Sequence, residues 1–381
     1  MGRGLQIGTV FGIPITIGAS SIVVFALVTF NVMAALSSSY PALGAWPRFG
    51  LAICAALLFW GAVLVHELAH AVVAMRQGLT VRNISLFLFG GVANMDREPP
   101  SPRAEFLIAI VGPLASGALG VLLLAVSWAL SGLSRLGAQT VLDPFATIAL
   151  WLGVVNIVLA VFNLLPGFPL DGGRVLRAAL WAALGDIRKA THGASLAGQT
   201  LAWLFITGGV LVVFGVRAPL LSPGPFNGLW LIFGGWFLHN AATQSYRQLV
   251  MRALLHRVPV AHIMRQDVPT ALPHQSVSQL MHDRLISEHQ AFPVLRDDQL
   301  VGIVSMHDVR RVPRPAWDTT SVQAIMTPAP QLVVAQADED MAGAVERLVR
   351  RQVGQLPVLR GDQFVGVLRQ RDVARWLATQ R

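Results

Sequence analysis

Residues 61–73 are G-A-V-L-V-H-E-L-A-H-A-V-V, an apolar run that carries two histidines and a glutamate. Ionisable side chains at membrane depth cost about 3 kcal/mol each and usually mark a functional site. On a helix, His66 and His70 lie on one face, where both imidazoles can bind one metal ion. Zinc suits two nitrogen ligands, and Glu67 can act as a base on water beside it. The alternatives are a chance match and a structural histidine pair.

The composition around this run indicates a membrane protein with a soluble tail. Of the 381 residues, 54% are hydrophobic and 13% are charged, whereas soluble domains have about 25% charged residues. Charged residues concentrate after Tyr246, which predicts a membrane domain over 1–246 and a linker over 247–258. The net charge is +9, but the Lys and Arg residues form no basic cluster with interleaved aromatics, so no nucleic-acid partner is expected. Cys54 is the only cysteine, which excludes an intrachain disulfide.

Six apolar runs predict six transmembrane helices, because each has about the 20 residues needed to cross a bilayer. The runs are 17–36, 50–75, 104–131, 145–166, 196–216 and 226–245. Nine Lys and Arg residues lie in the N-terminus and in the second and fourth connections, against three in the other connections. This bias predicts a multi-pass cell-membrane protein with both termini and the tail in the cytoplasm. The N-terminus lacks the pattern of a cleaved signal.

A second polar cluster, N-L-L-P-G-F-P-L-D-G-G-R at 163–174, lies at the end of the fourth run. The predicted topology places it at the same depth as the histidines. Catalytic zinc usually takes a third protein ligand, and Asp171 is the carboxylate at that depth. Prolines before it and glycines after it indicate a broken helix end that turns the carboxylate inward. The alternative is an acid in a cytoplasmic D-G turn.

These two motifs, in this order and topology, resemble the site-2 protease family of intramembrane zinc metalloproteases over most of 1–246. The resemblance implies that His66, His70 and Asp171 bind one zinc ion and that Glu67 is the general base. It also implies that Asn163 holds the scissile carbonyl, for which a helix-capping or helix-bridging amide is the alternative. The expected substrates are membrane-anchored proteins, cut in a transmembrane or juxtamembrane segment.

Residues 83–95 combine apolar β-formers with a Gly-Gly pair, which predicts a short hairpin or re-entrant strand. In the family that the chain resembles, such a segment pairs with the extended substrate by strand addition. The alternative is a packed loop at the membrane surface. The candidate substrate-binding residues are Phe89, Gly90, Gly91, Val92 and Asn94. In the third run, the family often has Asn where this chain has Ser116 or Gly117, so only close packing with a kink is expected there.

The tail contains a duplication, because residues 292–309 match residues 356–373 at an offset of 64. Ile263-Met264 likewise matches Ile325-Met326 at an offset of 62. Each repeat predicts the order strand, amphipathic helix, strand, turn, strand, helix. The motifs resemble a pair of cystathionine-beta-synthase (CBS) domains, over 259–313 and 320–378.

The CBS resemblance implies an adenine nucleotide such as ATP or AMP between the two repeats, and pairing of two chains into a homodimer. In the first repeat, Asp308 would bind the ribose and Ser305 would lie near phosphate. The second repeat keeps Asp372 but has Arg369 where Ser or Thr is expected, and a cation there can still meet a phosphate. The alternatives are a pair that only dimerises or braces the membrane domain, and a helix N-cap formed by Ser305 and Asp308.

The expected architecture is a polytopic α-helical membrane domain of six transmembrane helices, followed by a cytoplasmic α/β tandem CBS pair. The leading functional hypothesis is an intramembrane zinc endopeptidase that is regulated through the CBS pair. A CBS-regulated membrane transporter or channel is the first alternative. A transporter would need polar residues distributed along several spans, whereas those of this chain gather at one depth. A non-catalytic zinc-binding scaffold is the second, and the intact Glu67 disfavours it.

Overall fold

The computed structural model describes residues 4–87, 90–135, 139–217, 223–255, 258–284 and 291–379. The chain divides into two compact units, Met1–Arg247 and Gln248–Arg381. The first unit contains β1 (Leu5–Val10), β2 (Ile13–Ile17), α1 (Ala19–Ser39), α2 (Ala45–Arg76), β3 (Val81–Phe87), β4 (Gly90–Met95), α3 (Pro102–Leu133), α4 (Gln139–Asn163), α5 (Asp171–Leu184), α6 (Ile187–Val213) and the start of α7 (Pro225–Leu255).

Five helices of the described chain are long and apolar enough to cross a membrane, namely α1, α2, α3, α4 and α6. They correspond to the first five predicted runs. Helix α7 covers the sixth run, 226–245, but Asn227, His239 and Asn240 lower its hydropathy below that of the other five. A sixth span therefore remains a prediction, whereas a unit with five apolar helices followed by a second compact unit is the architecture of the described chain.

Small residues allow the apolar helices to pack closely. This is expected of membrane helices, because the hydrophobic effect does not drive their association and close van der Waals contact does. On α2, Ala52 and Ala55 are fully buried and pack in one cluster with Leu36 of α1 and Leu152 of α4. Helices α3 and α4 touch at a pair of glycines. A Cβ atom on Gly153 would lie 3.1 Å from the carbonyl oxygen of Gly120.

A four-stranded sheet, in the order β1-β2-β3-β4, packs against α2. Strands β3 and β4 form the hairpin predicted over 83–95, with Asn83 opposite Asn94. The N-terminal hairpin β1-β2 was not predicted from the sequence, and its strand β2 pairs in parallel with β3. Ile15 and Ile84 lie on the core face of the sheet, buried against Ala71 of α2. In the described part of the chain β4 pairs only with β3, so its other edge is open.

The second unit is built from two similar halves. The first half contains α8 (Val277–Arg284), β5 (Ala291–Arg296), β6 (Gln299–Ser305) and α9 (Met306–Arg310), and the second contains α10 (Val322–Ile325), β7 (Thr327–Pro328), β8 (Ala335–Gln336), α11 (Met341–Arg350), β9 (Gln355–Arg360), β10 (Gln363–Arg369) and α12 (Gln370–Thr379). The main sheet has the order β5-β6-β10-β9-β8, and β7 pairs with β6. Strands β5 and β6 begin 64 residues before β9 and β10, which is the offset of the sequence repeat.

Each half of this unit buries the Ile-Met segment near the start of the other repeat. Ile263 and Met264 pack with Met341 in the core of the second half, and the backbone N–H of Met341 donates to Val258 at 2.9 Å. Ile325 and Met326 pack against the core of the first half. This exchange gives the duplicated Ile-Met pair a physical role. The strand predicted to open the first repeat is a single bridge, between Ala271 and Val294.

Candidate active site

Three side chains from two helices converge on one point in the membrane unit. The Nε2 atoms of His66 and His70 are 3.2 Å apart, and each lies 3.1 Å from Asp171 Oδ2. Both imidazoles are buried, and the Asp171 side chain is 13% exposed. In the part of the chain that the structure describes, this is the one cluster of three or more His, Cys, Asp or Glu residues that can hold a metal ion.

Helix α3 fixes the orientation of both imidazoles. The Nδ1–H of His70 donates to the carbonyl oxygen of Ile108 at 2.6 Å, which leaves the Nε2 lone pair facing the cluster. Nδ1 of His66 lies 2.9 Å from the hydroxyl of Ser116, which is fully buried. Ile108 and Ser116 are eight residues apart, so they lie on one face of α3.

The donor set fits zinc. Two imidazole lone pairs and a carboxylate oxygen that face one another repel unless a cation lies between them. The separations of 3.1 to 3.2 Å are near the about 3.3 Å between ligands of a tetrahedron with bonds of ~2.0 Å. Gly112 leaves room for the cluster, because a Cβ atom there would overlap His70 Nε2 and lie 2.8 Å from His66 Nε2.

The motif around Asp171 begins a short helix rather than extending the fourth span. Helix α4 ends at Asn163, and α5 begins at Asp171 after a loop. This loop folds back onto α5 so closely that a Cβ atom on Gly172 would overlap the carbonyl oxygen of Leu164. A Cβ atom on Gly173 would likewise overlap Gly167. The two glycines therefore let the loop hold the first turn of α5, and the ligand oxygen, against α2.

The Glu67 side chain packs against strand β4. It follows His66 on α2 and is buried. A Cβ atom on Gly91 would lie 2.9 Å from Glu67 Cδ and 3.0 Å from its Oε1. The carboxylate also faces the backbone N–H of Ala93 on β4. A base and a strand edge are thus adjacent, which is the arrangement needed to act on a peptide that lies along β4.

The other candidate residues of the membrane unit have different surroundings. Asn163 is the last residue of α4, and its amide donates to the carbonyl of Leu159 in the same helix at 3.0 Å. Gly90, Gly91, Val92 and Asn94 lie on β4, whereas Phe89 lies outside the described residues. Sequence reasoning left Ser116 without a polar role. Its spacing of four from Gly112 is the signal that could have placed it beside the histidines.

Ser116→Ala is predicted to lower zinc affinity by about 10–100-fold, because His66 loses the hydrogen bond that orients its ring. The measurement is a competition titration of the purified protein with a chromophoric zinc chelator. Ser127→Ala is the matched control, since Ser127 is buried in the same helix but donates to Ala146 at 2.7 Å. Equal zinc affinities of the two variants would contradict the prediction.

The candidate nucleotide residues are engaged with one another in the structure. Ser305 caps α9, its backbone N–H donates to Asp308 Oδ2 at 2.9 Å, and the two side chains form a capping box. In the second half, Arg369 Nε lies 3.8 Å from Asp372 Oδ2, and both side chains are buried. Arg265 Nε lies 3.9 Å from the other oxygen of Asp372. Burial, and then the neighbouring Arg371, lower the pKa of the Arg369 guanidinium.

A two-histidine, one-carboxylate cluster with a glutamate beside it, set in apolar helices, defines a membrane-embedded zinc metalloprotease. The sequence model of peptidase family M50 matches residues 54–146 and 134–206, and the CBS domain model matches 260–314 and 322–379. The chain belongs to peptidase family M50, the site-2 protease type of zinc metalloprotease, and carries a CBS pair.

Two similar proteins cover the whole chain. "Putative zinc metalloprotease Rip3" of Mycobacterium tuberculosis is 34% identical, over 100% of this chain and 94% of its own length. "Putative zinc metalloprotease sll0528" of Synechocystis sp. is 30% identical, over 100% of this chain and 97% of its own length. The solved structure of a site-2 protease from Methanocaldococcus jannaschii is 28% identical, with a TM-score of 0.39, and matches 64% of this chain and 95% of that chain.

Proposed function

We propose that the chain is an intramembrane endopeptidase that cuts transmembrane or juxtamembrane segments of membrane-anchored proteins and thereby performs regulated intramembrane proteolysis. The observation that carries the proposal is the position of Glu67, which lies beside the ligand cluster and against the open strand β4. A transporter would not need a buried base next to a strand edge.

The residues divide the reaction between them. His66, His70 and Asp171 hold the zinc ion, which supplies Lewis-acid activation of water and of the scissile carbonyl when bound. Glu67 takes the proton of the attacking water as the new C–O bond forms. It then gives this proton to the leaving amine as the C–N bond breaks. The amide of Asn163 holds the scissile carbonyl in this proposal.

Substrate binding by strand addition supports access to a helical substrate. The peptide bonds of a membrane helix are hydrogen-bonded within the helix, so the segment must unwind before it can be cut. An unwound segment beside β4 replaces those hydrogen bonds with bonds to the β4 backbone, whatever the substrate sequence. Because Gly91 has no side chain, Glu67 can pack directly against this end of β4, beside which the substrate strand would lie.

A reporter assay in proteoliposomes tests the proposal. The reporters are single Leu/Ala-rich transmembrane segments with a central Asn-Gly or Pro, fused to two soluble tags. Zinc-loaded protein is expected to release the tags as two fragments, a chelator to stop the release, and added zinc to restore it. Intact reporters in the presence of bound zinc would overturn the proposal, and zinc-independent ion flux would favour a transporter instead.

We propose that the chain forms a homodimer through its CBS pairs. The CBS pair and both termini face the cytoplasm in this proposal. An adenine nucleotide bound at the CBS pair regulates cleavage. Ser305 and Asp308 supply a hydroxyl and a carboxylate at the start of α9, and Arg369 supplies a buried cation. AMP or ATP is expected to change the cleavage rate of the full-length protein, and Asp308→Asn to weaken that response. Identical rates with and without nucleotide would contradict this.

A further inference from the structure

A row of hydrogen-bonded polar side chains crosses the sheet of the membrane unit and ends at its open edge. Asn94 on β4 donates from Nδ2 to Asn83 Oδ1 on β3 at 3.1 Å. Asn83 donates to the hydroxyl of Ser85 at 2.8 Å and to that of Thr16, on β2, at 3.3 Å. The two hydroxyls are 2.9 Å apart. We call these four residues the polar ladder.

The polar ladder lies on the face of the sheet that points away from the catalytic base. Side chains alternate between the two faces along a strand. Gly91 and Ala93 belong to the face that packs on α2, where Gly91 meets Glu67. Val92 and Asn94 belong to the opposite face. A substrate strand beside β4 would therefore present alternate side chains to Glu67 and to the ladder.

Asn94 ends the ladder with unused hydrogen-bonding capacity. One N–H of its amide bonds Asn83, whereas Oδ1 and the second N–H make no hydrogen bond to any residue that the structure describes. Asn94 is half-buried, so water satisfies these groups when the edge is open. A substrate strand would displace that water, and its own side chain would have to replace the lost bonds.

We infer that Asn94 selects a hydrogen-bonding side chain, Ser, Thr, Asn or Gln, in the substrate residue that lies beside it. The inference rests on the proposed strand addition and names the chemistry of one subsite. Directly opposed residues on one face of a sheet interact, so such a side chain extends the ladder by one strand. A leucine there leaves Asn94 buried without its bonds. Polar side chains of this kind also compete for backbone hydrogen bonds and so favour local unwinding of a membrane helix.

The test is a scan of reporter substrates with purified, zinc-loaded protein. The starting reporter carries Ser at every position of its unwound segment, and each Ser is replaced by Leu in turn. Wild-type protein is expected to show one position at which Leu lowers kcat/KM by about tenfold or more. Asn94→Leu should remove that difference at this position and leave the profile of the other positions unchanged. Asn94→Ser should retain it.

Two controls separate this inference from the proposed function. Asn31→Leu makes the same chemical change at an exposed residue of α1, whose amide bonds Leu27 at 2.9 Å, and should keep the wild-type profile. Zinc content confirms that each variant retains its site. Cleavage of every reporter with a flat wild-type profile, or an Asn94→Leu profile equal to wild type, would overturn the role of Asn94 alone. No cleavage of any reporter would overturn the proposed function and this inference with it.

Discussion

Glu67→Gln is expected to bind zinc with wild-type affinity and to lose peptidase activity by about 10³-fold or more. The amide has nearly the shape of the carboxylate and leaves His66, His70 and Asp171 unchanged, so the ligand cluster persists. It cannot take the proton of the attacking water, and Glu67 is the carboxylate that packs against Gly91 of β4. Activity is measured as kcat/KM on reporter segments, and zinc by metal analysis of the purified protein.

Two further variants complete this experiment. Asp171→Ala is expected to lose both zinc and activity, because it removes a ligand and leaves only two imidazoles. Glu346→Gln makes the same change as Glu67→Gln at an exposed residue of α11 and should leave activity and zinc content unchanged. A Glu67→Gln protein that keeps more than about a tenth of wild-type activity would contradict the role of Glu67 as the general base.

Local sequence patterns were sufficient where helix geometry alone determines the contact. A spacing of four residues brings His66 and His70 onto one face of α2, whatever the rest of the chain does. The tail repeat was readable for a similar reason, since equal offsets produce equal strands in β5-β6 and β9-β10. Asp171 required more, because a ligand from another helix is placed by tertiary packing. The prolines before Asp171 and the glycines after it were the local sequence signal of that packing.

Contacts between distant segments could not be predicted from one sequence. The pairing of β2 with β3 joins Ile15 to Ile84, and no motif in either strand specifies the other. The Ile108 carbonyl that accepts the hydrogen bond of His70 is a backbone group. Every residue has such a group, so the sequence does not mark this one. Arg177 lies in the fourth connection, as counted, but its burial within α5 could not be predicted from the sequence.

Arg177 forms a buried ion pair that joins α5 to α3. Its Nε donates to Glu105 Oε1 at 2.6 Å, and its Nη2 contacts the same oxygen. Nη1 reaches Glu98 at 3.4 Å, and the guanidinium lies 5.4 Å from the ring centre of Phe168. Glu105 is completely buried. Since Asp171 begins α5 and α3 orients both histidines, this pair fixes the two helices that set the ligand positions.

Arg177→Ala is therefore expected to destabilise the membrane unit by about 3–5 kcal/mol, because Glu105 would stay buried without its cation. The double variant Arg177→Met, Glu105→Met should recover most of this loss, since it removes both charges and fills their space. Stability is measured by thermal and denaturant unfolding in detergent. Arg188→Ala, at an exposed cation of α6, is the matched control and should change stability by less than about 0.5 kcal/mol.

Zinc affinity separates the structural from the positioning role of this pair. The double variant restores packing but not the contacts of Arg177 with Glu105 Oε1 that join α5 to α3. If the pair positions Asp171, the stable double variant should still bind zinc about 10–100-fold more weakly than wild type. This is the loss expected when a group that orients a metal ligand is removed. Wild-type zinc affinity in a stable double variant would show that Arg177 and Glu105 contribute to folding alone. Lower affinity with restored stability would show that the chain keeps a costly buried ion pair because it fixes the position of a metal ligand.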